Sequence, residues 1–157
     1  MDLIFEFKED KDNDLAVFDD SPQELFNGWV YHPNPDHRGI KNKKDKSKWN
    51  ITINEEGYCF VSARRQNWID GQDGWGLHLE NNTPKEVGTL ADSSQQKNRT
   101  SWIARFKDGT GTNNWHGWPA DTKLKTDDRP SERVLEDWIK KKYINKCKRR
   151  KINRGQL

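Results

Sequence analysis

Eight tryptophans stand in a chain that otherwise has little to build a core from. Leu, Ile, Val and Phe together supply 29 of 157 residues, about 18%, under the roughly 20% below which a chain of high net charge stays disordered. This chain carries a net charge of only +3, so self-repulsion does not hold it open. Each buried aromatic removes about 150–250 Å² from water. The Trp residues, with 6 Phe and 3 Tyr, therefore stand in for missing aliphatics. The expected product is one small domain with an aromatic core and a very polar surface, in keeping with a mean hydropathy of -1.23.

No apolar stretch approaches the roughly 20 residues needed to cross a bilayer. The first residues, Met1-Asp2-Leu3-Ile4-Phe5-Glu6, turn acidic without a basic or apolar leader. Cys59 and Cys147 make no disulfide framework and no CxxC pair. A cytoplasmic, reduced protein without membrane attachment is expected. Cys59 sits in an apolar run and reads as a small core residue.

Charge is segregated along the chain. Residues 140–157 hold nine Lys or Arg and no acid, whereas residues 1–20 hold eight acids and two Lys. A second basic stretch runs from Arg38 to Lys48. Basic density of this kind suits a polyanion, because each neutralised phosphate releases condensed counterions. A solvated helix face, or pairing with the acidic front of the same chain, is the ordinary alternative.

Local patterns suggest mostly strands. Leu3–Phe7, Leu15–Phe18, Leu25–Tyr31, Trp75–Leu79, Glu86–Leu90 and Ser101–Phe106 read as strands, with Ala91–Thr100 as a polar loop. Trp49–Ile53 alternates, Asn54–Gly57 looks like a turn, and Tyr58–Ala63 looks like the return, so residues 49–63 read as a hairpin. Helices come last. Asp127–Glu132 is a start signal, followed by Val134, Leu135, Trp138 and Ile139 on one face. Asn145 can cap a second helix ending near Gly155, with Ile144 and Ile152 as anchors. The expected fold is α+β, mainly β: an antiparallel sheet rolled into a small barrel or sandwich, with a C-terminal basic helical hairpin. Residues 1–125 form the mainly-β part and 126–157 the helices packed on it, as a single structural domain.

Four constellations bear on function. The first is the basic C-terminal end, where Lys141, Lys142, Lys148, Arg149, Arg150 and Lys151 are the expected nucleic-acid contacts. The second is Trp115-His116-Gly117-Trp118-Pro119-Ala120-Asp121, read as a loop. His116 there is a candidate for proton transfer with Asp121. Pro119 holds Trp118 extended, so one indole should face the core while the other and His116 face outward. The third is Tyr31–His37 with its two histidines. Zinc sites offer more ligands at recognisable spacing, so no metal is expected, and His32 is instead a candidate partner in a metal-independent nuclease. The fourth is Arg64-Arg65 near Trp68 and Trp75, where paired guanidiniums and indoles suit a nucleotide; Trp75 and Trp115 are the expected stacking residues.

The charge pattern favours a binding module for nucleic acid or nucleotide, working without a cofactor. Two alternatives stand beside it. One is a small His-dependent nuclease or phosphodiesterase. The other is a protein of the immunity, antitoxin or phage–host kind, whose basic surface meets an acidic protein partner.

Overall fold

The computed structural model describes residues 23–25, 28–38, 46–90 and 99–157. Expectations for Leu3–Phe7, Leu15–Phe18, the acidic front, residues 39–45 and residues 91–98 fall outside them.

The helix where a hairpin was expected explains much of the architecture. Thr52-Ile53-Asn54-Glu55 is a capping box: Glu55 N–H donates to Thr52 Oγ1 (3.1 Å) and Thr52 N–H donates to Glu55 Oε1 (2.9 Å). Two orphan donors are thereby satisfied at once. Helix α1 (Ile53–Arg65) starts there, with acids in its first turn and Arg64 and Arg65 in its last, both complementing the helix dipole. Of the expected first arm, Trp49–Ile53, only Trp49 is strand, the second residue of β3 (Lys48–Trp49). Period-two alternation over Trp49–Ile53 is too short a run to outweigh a complete cap.

Before α1, β1 (Gln23–Leu25) and β2 (Trp29–Tyr31) pair antiparallel. The single strand expected over Leu25–Tyr31 is thus a turn and a return, folded at Gly28, whose φ is +88°. After α1 come β4 (Ile69–Asp70), β5 (Asp73–Glu80), β6 (Thr83–Lys85), β7 (Gly88–Leu90), β8 (Arg99–Ser101), β9 (Ile103–Asp108) and β10 (Asn114–Pro119). The Trp115–Trp118 segment, expected to be a loop, is therefore a strand.

Among the described residues, a seven-stranded sheet runs β1-β2-β10-β9-β5-β4, with β6 on the far part of β5; β3-β7-β8 form a second sheet. Neither closes, so the expected barrel is not formed, and helix and strand occur in like amounts, about 31% each of the described residues. Helix α1 packs on the middle of the main sheet, and the second sheet touches it at β10, where Gly88 lies against Pro119. The β2–β10 pair is parallel; the other pairings are antiparallel.

Alternation sends each strand's residues to opposite faces. On one face Tyr31, Trp115 and Phe106 meet Phe60 of α1, with ring centroids 5.0–5.6 Å apart. Small residues let the helix come close. A Cβ on Gly76 would stand 2.8 Å from the backbone carbonyl of Cys59. Cys59 itself is buried, as its apolar run suggests, and burial raises its thiol pKa. Beneath the helix Glu56 is fully buried; the Tyr31 hydroxyl and the Arg38 guanidinium both donate to it. Burial still pushes the Glu56 carboxyl up despite these partners.

The C-terminal helices form where the sequence signals place them, although the N-cap Ser131 of the first turns its hydroxyl to Asp70 rather than to the helix backbone. Helix α2 (Glu132–Lys140) buries Val134, Leu135 and Trp138. The Trp138 indole packs on Trp68 and Trp102 at 5.7 and 6.1 Å, so it is an anchor. Asn145 Oδ1 accepts from Lys148 N–H (2.8 Å) to start α3 (Lys146–Asn153), and Gly155, at φ +63°, follows its end. Ile144 and Ile152 are buried. Among the described residues no helix is long and apolar enough to cross a membrane.

Candidate functional site

The sheet face away from α1 carries a different set of side chains. Cross-strand register sets Asp73, Lys107 and His116 in one row, and Trp75, Arg105 and Trp118 in the next. Beside β10, the N–H of His32 donates to the carbonyl of Trp115 (2.8 Å). This brings the His32 and His116 rings into a stack, centroids 5.0 Å apart and planes 25° from parallel.

The second row is a floor. Arg105 is 2% exposed, with its guanidinium carbon 4.9 Å from the Trp75 ring centre and 5.6 Å from that of Trp118. Its donors go to Asp73 Oδ1 (2.6 Å), the Asp127 carbonyl (3.0 Å) and the Phe106 carbonyl. A 3-10 turn, Thr126–Asp128, forms one wall. Asp128 accepts from the Trp118 indole (3.1 Å) and from Asp121 N–H (2.8 Å), and burial raises its carboxyl pKa. A second 3-10 turn, Pro35–His37, forms another. His37 stacks on Trp118 and bonds through Nδ1 to the Ser47 carbonyl (2.8 Å). A carbonyl only accepts, so Nδ1 carries the proton.

Between these walls lies an open cleft of about 820 Å³, in the size range of small-ligand sites. Lys46, Arg105, Lys107 and Lys125 line it against two carboxylates, Asp127 and Asp128, with His116 and Trp118 at its aromatic side. Lys46, Lys107, Lys125 and His116 are exposed. His116 has its pKa lowered by partial burial and by the neighbouring His32, with Asp108 opposing. The His32 ring is fixed by Nε2 bonded to Asn114 Oδ1 (2.9 Å).

The other expected site residues are scattered. Asp121 is paired through both carboxylate oxygens with Arg99 (2.8 and 2.9 Å) and caps Leu124 N–H; it is absent from the cleft lining. Trp115 is fully buried against α1, and Trp75 is 5% exposed with its indole donating to the Asp128 carbonyl. Neither offers an open ring face to a base, because burial took both; Trp118 is the half-buried indole on the cleft. Arg64 lies over the Trp29 ring at 4.9 Å, and Arg64 and Arg65 both sit at the end of α1, on the opposite side of the sheet. At the C-terminal end, Lys141 bonds Asp137 and Gln66 (2.8 Å each), Lys148 stands 4.1 Å over Trp102, and Arg149 pairs with Glu136. Lys142, Arg150 and Lys151 are exposed, with Arg150 in a smaller basic groove beside Lys146, Arg149 and Arg154.

Sequence reasoning named no site at Lys107 or Lys125, and placed Lys46 only within the basic stretch from Arg38 to Lys48. A signal existed for Lys107: Arg105-Phe106-Lys107 alternates charged and apolar within a strand, as Asn114-Trp115-His116 does in the next. Among the described residues no group of three or more His, Cys, Asp or Glu side chains converges as a metal site. No protein-family model, curated protein or solved structure matches this chain.

Proposed function

We propose that the protein binds nucleic acid, with the strand's phosphates in the cleft beside His116 and the basic C-terminal helices as a flanking surface. The observation that supports this reading is the concentration of Lys46, Lys107 and Lys125 around one aromatic-walled cleft. Buried Arg105 is committed to carboxylate and carbonyl partners and shapes the floor; exposed Lys107 has only a looser 3.7 Å contact with Asp73, so phosphate binding falls to the lysines. Exposed Lys142, Arg150 and Lys151 add attraction without a fixed geometry. Nucleotides share the same phosphate chemistry and are the smaller ligands of this reading.

Fluorescence anisotropy with a labelled single-stranded oligonucleotide, titrated at several salt concentrations, tests it. Affinity should fall steeply with salt. Lys107→Gln with Lys125→Gln should flatten the log–log slope by about 0.7 for each phosphate that is no longer neutralised. Gln at Lys142, Arg150 and Lys151 should weaken binding less and change stability by about 0.5 kcal/mol or less per site. Absence of binding at low salt, or binding indifferent to both sets, would overturn the reading.

A further inference from the structure

We propose that His32 and His116 are an acid–base pair that cleaves the backbone of bound RNA by attack of the 2′-hydroxyl. This deepens, and rests on, the nucleic-acid reading of the cleft. The pair is built, not incidental. Parallel pairing of β2 with β10 is what brings residue 32 beside residue 116. Asn114, two residues from His116 on the same strand face, holds the His32 ring at Nε2. Its amide oxygen can only accept, so His32 Nε2 is the protonated nitrogen and Nδ1 is left for substrate. The stacked rings, centroids 5.0 Å apart, bring both imidazoles within the span of one phosphodiester, His116 on the cleft lining and half-buried His32 directly beside it. Lys107 is the direct cross-strand neighbour of His116 and lines the same cleft, where charge on a phosphorane would develop.

The chemistry needs nothing else. Neutral His116 takes the 2′-hydroxyl proton as that oxygen forms a bond to the adjacent phosphorus. The bond from phosphorus to the 5′-oxygen breaks, and the departing oxygen takes a proton from the His32 imidazolium. The products are a 2′,3′-cyclic phosphate and a 5′-hydroxyl end; His116 has gained one proton, His32 has lost one, and solvent restores both. Partial burial and His32 both disfavour a proton on His116, which makes it the base. The charged groups around the pair are Lys107 and Asp73 along the row, Asp108 on the same hairpin, and Lys46, Lys125 and Asp127 around the cleft.

The test uses the full chain, EDTA, a fluorescein-labelled single-stranded RNA of mixed sequence, and the same sequence in 2′-deoxy form. RNA should be cut to fragments with cyclic-phosphate ends by mass spectrometry, while the 2′-deoxy strand is bound intact. His116→Ala and His32→Ala should each lower the cleavage rate about 10²–10⁴-fold, with binding of the 2′-deoxy strand and the circular dichroism spectrum kept. The rate should be bell-shaped in pH, and Asn114→Ala, a change at a positioning residue, should lower the cleavage rate and alter the shape of that profile while binding of the 2′-deoxy strand is kept. Tight binding of both strands with the RNA left whole would overturn cleavage and leave the binding reading standing. Binding of neither strand would overturn both. Cutting that survives loss of both histidines would overturn the assignment.

Discussion

The two faces of the main sheet are made by the same strands and differ in almost everything else. Toward α1, Trp115, Phe106 and Tyr31 close around Phe60, and glycines let the helix backbone approach. Toward the cleft, the residues one step along each strand are His116, Lys107 and Arg105. The dry face obtains its stability from packed area, so every methylene there counts. The cleft face is held at its floor by hydrogen bonds from Arg105 and the indoles, and its upper row is left to solvent. A single step in register separates structure from chemistry.

The sharpest way to break this comparison uses adjacent residues. Trp115→Ala should lower stability by about 3–5 kcal/mol, the usual cost of deleting a buried aromatic. His116→Ala, one residue on but exposed, should stay within about 0.5 kcal/mol of wild type. Urea melts of the two variants measure the difference directly; equal losses would mean that the faces are not distinct. A smaller effect is expected from filling space on the dry side. Gly76→Ala forces a Cβ to 2.8 Å from Cys59 O and 3.1 Å from Phe106, so about 1–3 kcal/mol of overpacking should appear in the same melts.

The third expectation concerns pH and the cleft wall. His37 is 8% exposed, and burial depresses its pKa below the ordinary 6.5. A depressed folded pKa means that the unfolded chain binds the proton first. The associated stability is therefore complete above pH 6.5 and is lost as pH falls through the lower folded value. Burial raises the carboxyl pKa of Glu56 and Asp128, which works oppositely: stability falls as pH rises from their unfolded values to their folded ones. Subtracting the melting curve of His37→Gln from that of wild type across pH 5–8 isolates the histidine contribution (pH range about that of an ordinary His titration). The wild-type curve alone should drop on acidification relative to the variant; parallel curves would place His37 outside this linkage.

Legibility in the sequence follows the range of the physics. Helix signals are local, so α2 is readable from the acids and proline of Asp127–Glu132 and α3 from its Asn145 cap and Gly155, and helical spacing names Trp138 as an anchor. The Pro119 constraint on Trp118, and the split between one buried indole and one facing out with His116, are equally local. The Thr52–Glu55 capping box is just as local, but the short alternating run over Trp49–Ile53 competes with it and hides helix α1. Other features are out of reach for a different reason. The β2–β10 pairing joins segments more than eighty residues apart, roughly a loop-closure problem on which single-segment patterns are silent. Without that pairing His32 and His116 are unrelated residues. Composition locates basic charge at the C-terminal end, yet Lys141, Lys148 and Arg149 spend it on Asp137, Trp102 and Glu136. Counting charges along a chain does not show which of them fold back on their own surface.

The turn between β9 and β10 rests on one carboxylate. Asp108 is 3% exposed. Its two oxygens accept the backbone N–H groups of Gly111, Thr112, Asn113 and Asn114 at 2.8–3.3 Å; burial pushes its pKa up, but these donors hold it below the usual carboxylate value. Gly111 and Asn113 take positive φ to complete the wrap. Hairpin tips are usually where lineages gain and lose residues freely. Here the side chain counts the residues of the tip, because each of its donors comes from a fixed position. An insertion or deletion would unseat the donors and slide β10 against its neighbours, turning Trp115 outward and His116 in. This exposed tip should therefore be among the least tolerant of changes in length, and its length, more than its letters, is what a distant homologue would be expected to keep.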